Sequence, residues 1–228
     1  LSKRLQMIAN SVPNGTNTVV DVGTDHGYIP IYLIKNTIAK HCIASDINPN
    51  PLNNAKRNID HYKMNDSIDT RLGTGLSKVA VGEADVIIIA GMGGMLIIDI
   101  LRDDLDLVKA VGLLILQAQS DIPRLRRYLH SINFSIVDEK MLYEDGKYYT
   151  IIIAKPGTEE AYSDLEYLLG QKLIVAKNPV LKDYLGYKIE NLNQLINSLS
   201  NRNTSQAKKR LQQLKKENEL YKEVLVCL

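Results

Sequence analysis

Along residues 1–156, short apolar runs alternate with longer stretches in which apolar residues recur every three or four positions. The runs at 18–22, 42–46, 68–72, 84–90 and 112–117 are rich in β-branched residues and predict buried strands. Between them, 28–36, 49–62, 94–101 and 121–132 carry the amphipathic period of helices. Ahead of the first strand, Ser2 is placed to cap a helix with Leu5, Ile8 and Ala9 on one face, ending near Pro13-Asn14-Gly15. The stretch between the third and fourth strands reads as a loop with at most one helical turn. Strands alternating with helices imply right-handed crossovers and a parallel sheet covered on both faces.

After residue 132 the pattern changes. Residues 134–143 and 148–155 read as two strands, joined by Glu144-Asp145-Gly146-Lys147, a strong hairpin signal. Five crossover strands closed by an antiparallel hairpin make a seven-stranded α/β sheet. That ending is characteristic of class I methyltransferases, whereas a dinucleotide-binding Rossmann fold continues with a sixth parallel strand. Pro156-Gly157 ends this domain (residues 1–156). In the second domain, 157–228, Leu185, Ile189, Leu192, Ile196 and Leu199 are spaced like a coiled-coil seam. Ala207, Leu211, Leu214, Asn218, Tyr221 and Leu225 repeat that spacing, so the expected tail is an antiparallel helical coiled-coil hairpin. Asn218 sits in the seam, where it costs stability and fixes register.

Charge totals change little: the formal net charge is +2. Its distribution matters more. Residues 201–216 hold Arg202, Lys208, Lys209, Arg210, Lys215 and Lys216 without an acid, a stripe that reads either as a solvated helix face or as a nucleic-acid contact. Cys42 and Cys227 are the only cysteines and carry no metal-ligand spacing, so no metal is expected. With neither a signal-peptide pattern nor a spanning apolar run, the expected protein is soluble, cytoplasmic and monomeric.

The chemistry concentrates at strand ends. "DVGTDHGY" (21–28) follows the first strand and places an acid, Asp25, where a dinucleotide loop would carry its middle glycine. Gly23 and Gly27 let the backbone turn tightly and approach a ligand. Asp21 and Asp25 would repel a pyrophosphate and attract a cationic amino-acid tail, such as that of S-adenosylmethionine. Asp46 closes the second strand, where an acid can hold both ribose hydroxyls, with Asn48 and Pro49 left to start the next helix. "RLGTGL" (71–76) offers Gly73 and Gly75 around Thr74 as a flat surface for an adenine ring. "AGMGG" (90–94) leaves an open backbone at the fourth strand end. It lacks the Asn or Asp with Pro-Pro that grips an exocyclic amine, which points to methylation of a ring nitrogen.

The stretches "LSKRL" (1–5), "VVDVGTDHGYIPIYL" (19–33), "RLGTGL", "AGMGG", "LILQ" (114–117) and "LRRYL" (125–129) resemble the bacterial tRNA (adenine-N1)-methyltransferases acting on adenosine 22. The chain departs from that family at Thr74, where an acid is usual, and at Gln117-Ala118-Gln119, where Gln-Pro-Asn is common. The resemblance implies S-adenosylmethionine as donor and tRNA as partner. The expected donor-binding residues are Asp21, Gly23, Asp25, His26, Gly27, Asp46, Ile47, Asn48, Gly73, Thr74, Gly75, Gly91 and Met92. Asp25 and His26 are the catalytic candidates. Gly93, Gly94, Gln117, Arg126, Lys208, Lys209 and Arg210 are the expected substrate contacts. Two alternatives stay open: a methyltransferase for a protein or small molecule, and a methyltransferase-like RNA-binding module with an inactive donor site.

Overall fold

A computed structural model describes residues 1–200 and 204–228, which form two units, Leu1–Leu168 and Leu169–Leu228. The first opens with α1 (Lys3–Ala9), capped as expected: Ser2 Oγ accepts the Leu5 N–H at 3.2 Å. Then β1 (Thr16–Val22), β2 (Ala39–Asp46), β3 (Ile68–Leu72), β4 (Val86–Met92) and β5 (Leu113–Ala118) pair in parallel. Between them lie α2 (Tyr28–Lys35), α3 (Pro49–Tyr62), α4 (Gly94–Asp103) and α5 (Leu105–Ala110). After α6 (Ile122–Ser131), β6 (Phe134–Glu144) and β7 (Lys147–Pro156) form the hairpin, and β7 runs antiparallel to β5. The sheet order is β3-β2-β1-β4-β5-β7-β6, the Rossmann-like methyltransferase arrangement.

Strand alternation divides the core. Val20, Ile43, Ile87, Ile89 and Leu116 pack on one face with Ile97, Leu101, Leu125 and Leu129 of α4 and α6. Val19, Cys42, Ala44, Ile88 and Ile115 pack on the other with Ile8, Leu33, Ala55 and Ile59 of α1, α2 and α3. Both faces are covered, which is why these strands read as continuous apolar runs rather than as alternating ones. Each Val, Leu or Ile among them contributes about 1.5–3 kcal/mol on burial, opposed by the entropy of ordering the chain. Asp21 falls on the same face as Val19, and so enters an apolar layer.

Two segments differ from the sequence expectation. Helix α5 was not foreseen, because its six residues bury only Leu107 and Val108, too few to show a period. Residues 157–168, grouped with the tail on sequence, belong to the first unit. They are fastened to α6 by polar contacts that leave no hydrophobic pattern. His130 Nδ1 lies 2.8 Å from Tyr167 Oη and Nε2 lies 2.9 Å from Glu159 Oε1. The Arg127 guanidinium sits 4.0 Å above the Tyr167 ring. The segment ends in α7 (Asp164–Leu169).

The second unit holds α8 (Gln171–Val175), α9 (Pro179–Ser200) and α10 (Ser205–Cys227), with α9 and α10 packed together as a helical hairpin. Asn178 Oδ1 accepts from the N–H groups of Val180 and Leu181 at the start of α9, and Thr204 Oγ1 accepts from Ala207 at the start of α10. Leu185, Leu192, Ala207, Leu214 and Tyr221 are buried along the seam. Asn218 is buried among them and donates from Nδ2 to Asn193 Oδ1 at 2.8 Å. Arg202 lies outside the described residues. Among those described, no helix is long and apolar enough to cross a membrane.

Candidate active site

Strand order reverses at β1: the chain steps outward through β2 and β3, then returns to β4 on the other side. A crevice at such a switch point, beyond the carboxyl ends of the strands, is where open α/β sheets bind ligands. The loop after β1 is fixed there by Ser45, whose carbonyl accepts the N–H groups of Gly23 (2.8 Å) and Thr24 (2.9 Å). Gly23 has φ +74°, and a Cβ there would overlap Met92 Cε, so two loops meet over this glycine. Gly27 is different. It is buried, and a Cβ on it would lie 3.3 Å from Ala55 Cβ, so it lets α3 pack against the loop and does not face a ligand.

A cavity of about 330 Å³ opens over the strand ends. Its wall brings together Val22 and Gly23 at the end of β1, Asp46, Ile47 and Asn48 at the end of β2, and Gly73, Thr74 and Gly75 after β3. Ala90, Gly91 and Met92 of β4 and Leu96 and Ile100 of α4 complete it. The Asp46 carboxylate is less free than its spacing suggested. Its Oδ1 accepts the Asn48 N–H at 2.6 Å, and Asn48 itself makes no side-chain cap. Its second oxygen makes no protein hydrogen bond among the described residues and can take ribose hydroxyls. Arg71 clamps the loop that carries the Gly-Thr-Gly surface. It donates to Glu83 at 2.6 and 2.8 Å, to Asp69 at 3.1 Å and to the Lys78 carbonyl at 2.8 Å. The Arg71 bonds to Glu83, with the Ala80 N–H donating to the same carboxylate at 2.8 Å, hold the Glu83 carboxyl down at about 2.

A smaller cavity of about 160 Å³ adjoins the first, sharing Gly23 and Ala90 with it. Arg4, Leu5, Asp21, Asp25, Tyr28 and Ile29 complete its wall. Burial pushes the Asp21 carboxyl up to about 6, the neighbouring Thr24 side chain pulls against that rise, and the Asp46 charge adds to it. Asp25 is exposed and lies 3.2 Å from His26 Nε2. His26 is on neither cavity wall; its ring stacks on Tyr28 at 5.2 Å. Two joined cavities, one flanked by apolar groups, glycines and a strand-end acid, the other by two acids, suit an adenosyl group and its charged tail.

The Methyltransferase domain family matches residues 1–152. The tRNA (adenine(22)-N(1))-methyltransferase of Bacillus subtilis is 36% identical, an alignment covering 99% of this chain and 97% of that one. The chain belongs to this methyltransferase family. A Streptococcus pneumoniae protein solved in complex with S-adenosyl-L-methionine matches with a TM-score of 0.88 at 31% identity, over 99% of both chains. M. capricolum TrmK, solved with S-adenosyl-homocysteine, matches with a TM-score of 0.81 at 30% identity, over 97% of this chain and 99% of that one.

On the acceptor side of the methyltransferase site, the expected residues separate. Gly93 is partly exposed, with ordinary backbone angles (φ −66°, ψ 145°) at the start of α4. Gly94 is buried, and a Cβ on it would come within 2.5 Å of the Ser120 carbonyl oxygen, so it serves helix packing and not substrate. Gln117 is fully buried, and its Oε1 accepts from Arg4 Nη1 at 2.7 Å. Arg126 is also fully buried, which removes it from substrate binding. It donates to Glu139 at 2.7 Å and to the Tyr167 and Leu168 carbonyls at 2.7 and 3.1 Å, fastening residues 157–168. Lys208, Lys209 and Arg210 are exposed at the start of α10; Lys209 and Arg210 line a cavity of about 480 Å³ with Leu199, Thr204, Ala207 and Gln213. Arg4 was missed as an individual residue, since the only sign of it was its place in "LSKRL".

Proposed function

We propose that this chain transfers the methyl group of S-adenosylmethionine to N1 of adenosine 22 in tRNA. The observation that carries the proposal is the pair of joined cavities at the switch point, set in a chain related end to end to enzymes of that activity. When bound, S-adenosylmethionine supplies an electrophilic methyl on a sulfonium centre.

Adenine N1 attacks with an in-plane lone pair and has no proton to lose, so no general base is required. The chain's work is to align the two reactants and keep water out. Asp46 holds the ribose, Ile47 and the Gly73–Gly75 backbone flank the adenine, and Asp21 and Asp25 face the amine of the tail. Gly91 and Gly93 keep the acceptor approach open. Transfer leaves the acceptor ring cationic, and the exposed Asp25 carboxylate, 3.2 Å from His26 Nε2, is the candidate to stabilise that charge as well as the amine. In folded tRNA the N1 edge takes part in base contacts, so the base is flipped out before it reacts. Intact acids at the ends of β1 and β2 argue against an inactive binding module.

The test is nucleoside mass spectrometry of tRNA transcripts incubated with the protein and donor. 1-Methyladenosine is expected from a transcript with adenosine at position 22 and not from one with guanosine there. Methylation of both, or of neither, sinks the assignment.

A further inference from the structure

We infer that Gln119 reads the acceptor base, its side-chain amide bonding to the N6 and N7 edge of the adenine. This rests on the acceptor reading above. For N1 to attack, the Watson–Crick edge of the base must face the donor. The base has to be gripped along another edge, and the one that carries N6 and N7 stays open.

Gln119 follows β5 directly, and its backbone N–H donates to the Met92 carbonyl at 2.8 Å. The β4–β5 register shifts between Ala90 and Met92, with Gly91 as the extra residue at φ +80°. Such a bulge re-aims the chain at a sheet end. A Cβ on Gly91 would lie 4.0 Å from Gln119 Nε2, so the amide hangs over a glycine that lines the larger cavity. Two residues earlier, Gln117 is fully buried, and its amide is taken up by Arg4 and the Ala118 carbonyl. Gln119 is exposed, and its amide has no hydrogen-bond partner among the described residues.

The other polar groups over the glycines of β4 suit an adenine less well. Ser120 Oγ, 3.3 Å from the place of a Gly93 Cβ, already donates to Asp121 Oδ2 at 3.0 Å. Arg4 Nη1, 3.6 Å from the place of a Gly91 Cβ, carries a charge of the same sign as the one that forms on the ring. A neutral amide offers one acceptor and one donor side by side, matching N6–H and N7 of adenine. Guanine presents two acceptors there and leaves Oε1 facing an oxygen. In the transfer, the N1 lone pair forms the new N–C bond while the C–S bonding pair returns to sulfur, releasing S-adenosylhomocysteine. No proton leaves. The ring's positive charge spreads onto N6, so the bond from N6–H to Oε1 tightens as the methyl moves.

The experiment compares tRNA carrying adenosine or 7-deazaadenosine at the methylated position, with the wild-type protein and with Gln119→Leu. Calorimetry with S-adenosylhomocysteine is run alongside on both proteins. The wild type is expected to lose roughly 10-fold in kcat/KM on 7-deazaadenosine, which lacks only the N7 acceptor. Gln119→Leu should lose roughly 10- to 100-fold on adenosine and nothing further on 7-deazaadenosine. Its S-adenosylhomocysteine affinity should equal that of the wild type, which also shows that the site remains folded. A wild type indifferent to N7, a Gln119→Leu variant that still discriminates or keeps full activity, or a loss of donor affinity along with activity overturns the inference. If the wild type methylates neither tRNA, the acceptor reading itself fails.

Discussion

Asp21 shares its face of β1 with Val19, so the strand geometry that builds the core also buries a carboxyl at the wall of the smaller cavity, where the donor's tail is proposed to sit. Its folded value of about 6 exceeds the ordinary 3.8, so the ionised form costs stability, a cost absent below about 3.8 and complete above about 6. A bound ammonium favours the carboxylate and reverses that cost. Donor affinity is therefore expected to climb as pH rises through about 6 and then level off, by up to tenfold per pH unit below that value. Titration calorimetry with S-adenosylhomocysteine between about pH 5 and 7 reads this slope. Asp21→Asn should flatten it, and a flat wild-type profile removes Asp21 from the tail site. The neighbouring glycines make a second prediction. Gly93→Val should fold with a melting temperature near that of the wild type and lose transfer, because its Cβ meets only the Ser120 hydroxyl, at 3.3 Å. Gly94→Ala should instead lose about 1–3 kcal/mol of stability through overpacking against the Ser120–Asp121 backbone. If Gly93→Val keeps its activity, the acceptor does not pass over that residue.

At the scale of elements, the Arg71–Glu83 pair ties the end of β3 to the far side of the loop presenting Gly73, Thr74 and Gly75. Glu83 titrates at about 2 in the folded protein, below its ordinary 4.5, so its stabilisation is complete above about 4.5 and lost as pH falls through about 2. Glu83→Gln should lower the melting temperature by a few degrees at neutral pH and weaken adenosine binding. The gap between variant and wild type should narrow as pH drops from about 5 toward 2. A gap that does not change with pH means the pair contributes nothing through its charge. The clamp also marks the limit of sequence reading. The strands and the flanking helices were legible because a two-sided sheet writes itself as apolar runs and amphipathic periods. Strand-end acids and glycines were legible because their positions follow from that topology. Arg126 was misread because a buried arginine and a substrate-binding one look alike until β6 and residues 157–168 close around it. Arg4 needed the packing of α1 against the strand ends, a contact of high sequence separation that leaves no local pattern.

At the scale of the whole molecule, the catalytic cavities lie in one unit and the basic stripe in another. A tRNA is far larger than the base being methylated, so phosphate contacts outside the donor unit are expected to supply much of the affinity. Lys208, Lys209 and Arg210 are exposed at the first turns of α10, where the helix dipole adds to their positive potential. Each phosphate neutralised releases counterions and steepens the dependence of binding on salt. Reversing all three to Glu should raise the apparent KM for tRNA by at least tenfold near physiological salt and flatten the salt slope by about 3. S-adenosylhomocysteine affinity should stay at the wild-type value, because every residue lining the two proposed donor cavities belongs to Leu1–Leu168. Equal loss of donor binding would mean the substitutions damage the fold. An unchanged KM and salt slope would make the stripe a solvated helix face, leaving the hairpin's role in this enzyme to its packed seam and not to its charge.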